Sequence, residues 1–179
     1  YLTREGVLNA QSLATGRVVW SQRPSARPIF PPIVHSSRVL FVDERNRLVA
    51  MDANAGGDPI WSMQLAETPV DEPIVDGRIV RLAVRSGDVI AIDVIDGGTL
   101  DRFRVPSRLA TSVVPVPGAM LVGTEDGRLL AIEPASHRTV WEYDLPGDAA
   151  IERIVPMSDT ALVLASDGRL SVVGLRDGS

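Results

Sequence analysis

The sequence predicts an all-β chain folded as a β-propeller, on three observations. A motif returns every 40 or 41 residues: Val7-Leu8-Asn9-Ala10-Gln11, Leu48-Val49-Ala50-Met51-Asp52, Val89-Ile90-Ala91-Ile92-Asp93, Leu129-Leu130-Ala131-Ile132-Glu133 and Leu170-Ser171-Val172-Val173-Gly174. A fixed period of this length marks a repeat architecture. In the middle copies this motif is apolar at consecutive positions, as expected of a strand covered on both faces. Short β-branched runs on either side are separated by glycine-bearing pairs, which supply the positive φ of tight hairpin turns. Four short antiparallel strands per period describe one propeller blade.

Each element follows in order within a repeat. The first strand is a short apolar segment: Pro32-Ile33-Val34, Pro73-Ile74-Val75, Ser112-Val113-Val114 or Arg153-Ile154-Val155. A turn such as Asp76-Gly77 or Pro117-Gly118 leads to the second strand, at 39–42, 79–84, 120–122 and 161–164. Ser86-Gly87, Asp126-Gly127 and Asp167-Gly168 form the next turn, and the recurring motif is the third strand. Thr15-Gly16, Gly56-Gly57 or Gly97-Gly98 then leads to a fourth strand containing Trp20, Trp61, Phe103 or Trp141. Apolar residues never keep helical spacing, so an α-solenoid is a poor alternative.

The chain reads as one partial propeller, 1–179, with whole blades at 28–65, 70–105 and 110–146 and partial blades at 1–23 and 150–179. It begins inside one repeat and stops inside another, so a piece of a longer protein is expected. Closed propellers have about 4–8 blades, and an arc of a larger ring is the expected arrangement.

Composition narrows the function. Hydrophobic residues are 45% of the chain, enough for a core, and no apolar run approaches a membrane span. The net charge of −5 argues against a nucleic-acid partner. Lysine is absent, and all 18 basic residues are arginine. Cysteine is absent too, which removes disulfides, thiolate metal sites and cysteine nucleophiles.

Candidate sites are few. A calcium ion needs several oxygen ligands converging on one point. The carboxylate pairs Asp43-Glu44, Asp71-Glu72 and Glu125-Asp126 lie in different loops without calcium-loop spacing, and read as solvated loop residues. His35 and His137 fall in turns of different blades with no third ligand, and read as surface residues. No nucleophile elbow, phosphate loop or dinucleotide fingerprint occurs. No catalytic, metal-binding or cofactor-binding residue is therefore assigned.

The periodic residues read as structural. Ala50, Ala91 and Ala131 form a small column that lets neighbouring sheets approach, with Asn9 and Val172 in the outer copies. Asp52, Asp93 and Glu133 end their strands, where they are expected to accept backbone N–H bonds from the following turn. Trp20, Trp61 and Trp141 recur with the repeat and are read as packing residues. Contact with a partner is expected on the connectors between blades, at 22–32, 66–73, 106–111 and 146–152. The candidate contact residues there are Arg23, Arg27, Phe30, Asp71, Glu72 and Arg108, since arginine and aromatics are common interface anchors.

Arg47-Leu48-Val49-Ala50-Met51-Asp52 through Gly57 to Trp61, and Asp126-Gly127-Arg128-Leu129-Leu130-Ala131-Ile132-Glu133 through Trp141, resemble the PQQ-like propeller repeat. The third copy departs with Phe103 near the expected tryptophan, and the fourth with Ser136-His137 in place of the turn glycine. The resemblance covers nearly the whole chain and is specific for fold. It implies one of three functional kinds: quinoprotein dehydrogenases, the outer-membrane assembly lipoprotein BamB and its relatives, or propeller sensors fused to bacterial Ser/Thr kinases. Short loops and the lack of paired cysteines favour the second and third kinds over the first, and the second is the leading case. The expectation is a non-enzymatic, extracytoplasmic scaffold without a cofactor, bound to protein partners in a membrane-associated complex. A quinone-dependent dehydrogenase and a kinase sensor are the alternatives.

Overall fold

The computed structural model describes residues 1–179 as seventeen β-strands without a helix. The first blade contributes β1 (Leu8–Gln11) and β2 (Val18–Gln22). The second is β3 (Ile33–His35), β4 (Arg38–Val42), β5 (Arg47–Asp52) and β6 (Gly56–Gln64). The third is β7 (Ile74–Asp76), β8 (Ile79–Ala83), β9 (Asp88–Asp93) and β10 (Thr99–Arg104). The fourth is β11 (Val114–Val116), β12 (Ala119–Gly123), β13 (Arg128–Ile132) and β14 (Thr139–Asp144). The fifth holds β15 (Ile151–Pro156), β16 (Thr160–Ala165) and β17 (Leu170–Gly174). Every sheet is an antiparallel meander in chain order, and no strand pairing joins the first sheet to the last. The blades form an open arc.

The third strands are covered on both faces, with Leu48 to Met51, Val89 to Asp93 and Leu129 to Ile132 all buried. β17 lacks an outer neighbour, and Leu170 and Val172 are exposed there. The outer strands β6, β10 and β14 alternate exposed and half-buried residues, as a sheet edge facing water on one side should. Four apolar clusters fill the four gaps between successive blades. Leu40, Leu82 and Ile92 fill the gap between the second and third blades, and Leu129, Ile151 and Val163 that between the fourth and fifth. This burial of apolar surface between sheets is the main stabilising term.

Three of the four gaps close with the same latch. Trp20 Nε1 donates to Ala53 O at 2.9 Å, Trp61 Nε1 to Val94 O at 3.1 Å, and Trp141 Nε1 to Leu175 O at 3.2 Å. Each ring covers a glycine in the turn of the following blade. At Gly97, φ is +75° and an added Cβ would stand 2.7 Å from Trp61 Cδ2, so no side chain fits.

The registers correct three sequence expectations. In the first blade Ala10 pairs with Trp20 just as Ala50 pairs with Trp61, so Ala10 and not Asn9 belongs to the alanine column. The same alignment makes Ser12 the polar strand-ending position, two residues after Ala10 as Asp52 is after Ala50, and its Oγ accepts Thr15 N–H. In the third blade the residue opposite Ala91 is Asp101. Phe103 pairs with Val89 and corresponds to Met63 and Tyr143, not to the tryptophans.

Candidate protein-contact surface

In an antiparallel meander the turns between second and third strands lie on the same face of the arc as the connectors between blades. The structure ties these two sets together. Leu65, Val105 and Leu145, each the first connector residue after an outer strand, donate to Asn46 O, Gly87 O and Gly127 O at 2.8, 2.9 and 2.9 Å. Gly87 has φ +104°, and a Cβ there would meet Val105 O at 2.2 Å, so this close approach requires glycine. The connectors are thereby held as a firm platform rather than loose loops.

One turn position carries charge in successive blades, and the residue before it is charged in the second blade alone. Asp43 is buried, and its Oδ1 accepts the N–H groups of Arg45 and Arg47 at 2.9 Å each. Its Oδ2 accepts Arg47 Nε at 2.9 Å, so this carboxylate is a turn anchor and not the solvated residue expected from the sequence. Glu44, Arg85 and Glu125 occupy one equivalent position in successive turns. Glu125 binds Arg85 of the preceding blade through one oxygen and Arg108 of the connector through the other, the latter at 2.7 Å. The Arg85 hydrogen bond holds the Glu125 carboxyl below the usual carboxylate range against partial desolvation, with Arg108 assisting.

Around this network lies a cleft of about 590 Å³, lined by Asp71, Arg85, Glu125, Ile151, Glu152 and Arg153 among others. A second cleft of about 220 Å³ adjoins it along the first strands of the third to fifth blades, and shares Asp71 and Arg153. Asp71, Glu72, Glu152 and Arg153 make no ion pair in either cleft.

The six expected contact residues separate into two places. Asp71, Glu72 and Arg108 stand at or beside these clefts. Arg23 lines a different cleft of about 300 Å³ beside Asp43, Arg47 and Asp58. Arg27 is exposed, with its side-chain stem over Gly6, and Phe30 is half-buried against the core between the second and third blades. Sequence reading passed over Arg85, Glu152 and Arg153. The periodic position shared by Glu44, Arg85 and Glu125 was the available signal for the first of them.

The strand-ending residues sit on the opposite face. Asp52 Oδ1 accepts Asn54 N–H at 2.7 Å and Ala55 N–H at 3.1 Å, and Asp93 Oδ1 accepts Ile95 N–H at 2.8 Å. Arg78 Nε adds a bond to Asp93 Oδ2 at 2.7 Å. Glu133 instead accepts the Ser136 hydroxyl, in a turn that keeps the backbone hydrogen bonds of its neighbour around Gly97. His35 ends β3 half-buried, and His137 is bonded to Asp101 at 2.7 Å rather than lying free on the surface.

No three carboxylate or histidine side chains converge where they could hold a metal ion. Of the carboxylate pairs considered for calcium, Asp43 is committed to its turn and Glu125 to two arginines, and the free Asp71 and Glu72 belong to no group of three ligands. The residues present do not fit that group.

The family signature described as outer membrane protein assembly factor BamB matches residues 1–108 and again 53–179, together the whole chain. The chain belongs to this PQQ-like, BamB-type repeat family. The crystal structure of BamB from Moraxella catarrhalis superposes with a TM-score of 0.78 at 18% identity, covering 99% of this chain and 57% of that one. The computationally designed Ika8 protein matches with a TM-score of 0.75 at 14% identity, covering 97% of this chain and 54% of that one. The chain thus spans a little over half the length of either solved structure. At these identities the structural likeness shows the fold alone. No curated protein matches the chain in sequence.

Proposed function

We propose that this BamB-type arc is a non-catalytic scaffold that binds a protein partner at the clefts around Glu125, in an extracytoplasmic complex concerned with outer-membrane protein assembly. The observation that carries the reading is the connector face itself. Hydrogen bonds to the neighbouring turns hold it rigid. It presents Asp71, Glu72, Glu152 and Arg153 without internal ion partners. Prealigned charges of both signs on a firm surface favour selective protein association over chemistry. The family assignment supplies the class of complex, and the committed carboxylates weigh against the dehydrogenase reading.

Affinity capture from outer-membrane extracts tests this, comparing the native chain with a variant carrying Asp71→Arg, Glu72→Arg and Arg153→Glu. The scaffold reading predicts a defined membrane-assembly partner that the variant loses by at least tenfold, as interface charge reversal usually costs more than about 1.4 kcal/mol. Dialysis against pyrroloquinoline quinone and calcium should leave no bound chromophore. A stoichiometric quinone spectrum with dye-linked oxidation of an alcohol would favour the dehydrogenase instead.

A further inference from the structure

The junction between the third and fourth blades departs from its neighbours at three positions at once. On the face of the second blade that meets the third, one row of cross-strand partners reads Ile33, Leu40, Ala50, Trp61. The matching row of the fourth blade, facing the fifth, reads Val114, Leu121, Ala131, Trp141. In the third blade, facing the fourth, it reads Ile74, Arg81, Ala91, Asp101. The turn residue under the ring is Gly97 below Trp61 and Gly178 below Trp141. Opposite Asp101 that position is His137. Leucine, tryptophan and glycine have become arginine, aspartate and histidine at a single junction.

The replacements fit one another. His137 keeps the left-handed backbone of the glycines it replaces, with φ 58°. Its Nε2 lies 2.7 Å from Asp101 Oδ2, and its ring stacks on Phe103 with centroids 4.3 Å apart and planes 8° from parallel. The ring that closes the other junctions comes from the preceding blade, and here it comes from the following one. Arg81 occupies the position of Leu40 and Leu121 with its side chain only 15% exposed, and its ion partner, Asp76 Oδ2 at 3.5 Å from Nη1, belongs to its own blade.

The two kinds of junction also exclude each other. A Cβ at Gly97 would stand 2.7 Å from Trp61, and one at Gly178 would stand 2.8 Å from Trp141, so a turn bearing histidine cannot dock on a blade bearing tryptophan. A glycine turn docked on the third blade would leave Asp101 unpaired, Phe103 uncovered and a void where the imidazole stands. The Asp101 carboxylate is 42% exposed and would be served by water, so the cost lies mainly in the void beside Phe103.

We propose that Asp101 and His137, set beside the third blade's own Arg81, act as a register key, which makes the fourth blade the only one that fits the third. A chain of near-identical repeats can pair the wrong neighbours or exchange them between molecules, a characteristic failure of repeat proteins. Polar groups set into an apolar interface are a known way to fix register. This inference is independent of the partner-binding reading.

The test compares the native 179-residue chain with Asp101→Trp, His137→Gly, the double variant, and a triple variant that adds Arg81→Leu. Melting temperature is measured on each. The monomeric fraction after refolding from urea is measured by size exclusion with light scattering. Each single substitution is expected to lower Tm by about 4 °C or more, and the double to recover most of the combined loss. The triple variant should melt within about 2 °C of the native chain or above it. It should nevertheless refold with a clearly larger share of exchanged dimer, because every junction now takes the same latch. Additive losses in the double variant would overturn the idea that the residues form a unit. A triple variant that regains its Tm and refolds to as much monomer as the native chain would overturn the register role.

Discussion

At the scale of single residues, the latch between a tryptophan and the next blade's glycine holds the blades together. Gly97 and Gly77 both have positive φ, but only Gly97 lies beneath a ring. Gly77→Ala should therefore cost about 1 kcal/mol from backbone strain alone. Gly97→Ala should cost about 3 kcal/mol, because overpacking against Trp61 adds to the strain. Urea denaturation of the two variants provides the comparison. Trp61→Ala should lose about 3 kcal/mol, at the low end for a tryptophan because the ring is half-buried. The packing role of the tryptophans was legible in their spacing. That Asp101 stands in their column was not, because Phe103 supplied an aromatic nearby and only the strand register separates the two. His137 was misread as a surface turn residue for the same reason: its partner lies 36 residues away in another blade.

At the scale of strands and turns, carboxylates anchor the backbone. The Asp93 carboxyl is held below its ordinary range by its hydrogen bond from Arg78 and by Ile95 N–H, against an opposing desolvation. A carboxyl with a lowered folded pKa contributes stability above its unfolded value of about 3.9, and loses that contribution as pH falls through the folded pKa. Asp93→Asn should therefore lower Tm at pH 7, and the difference from the native chain should narrow as pH falls through the lowered pKa of Asp93. A gap that stayed constant to the acid end of the titration would show that the charge is not what matters. Continuous apolar runs made the covered third strands legible in the sequence. The place of Ala10 in the alanine column was not legible, because copies lie 40 or 41 residues apart and only the strand register decides between the two.

At the scale of the whole molecule, repeat length and turn chemistry sufficed for the architecture, since each period encodes the same four-stranded unit. The proposed contact surface was legible only in part. Asp71, Glu72 and Arg108 were singled out as connector residues, but Arg85, Glu152 and Arg153 join them only through the curvature of the arc. Arg23 and Arg27 lie with the first and second blades, away from that surface. Removing the central bridge with Glu125→Ala should leave Arg85 and Arg108 free of their shared partner. Exposed pairs are worth about 1 kcal/mol or less, so the fold should survive with its Tm little changed while partner affinity falls.

The most direct measurement is site-specific photocrosslinking in outer-membrane extracts, with the probe placed either at Glu152 on the cleft face or at Ala135 in an exposed turn of the opposite face. A discrete adduct with a membrane-assembly protein from Glu152, and none from Ala135, is the predicted result. Equal labelling from both positions, or an adduct from Ala135 alone, would contradict the assignment of the cleft face as the partner-binding surface.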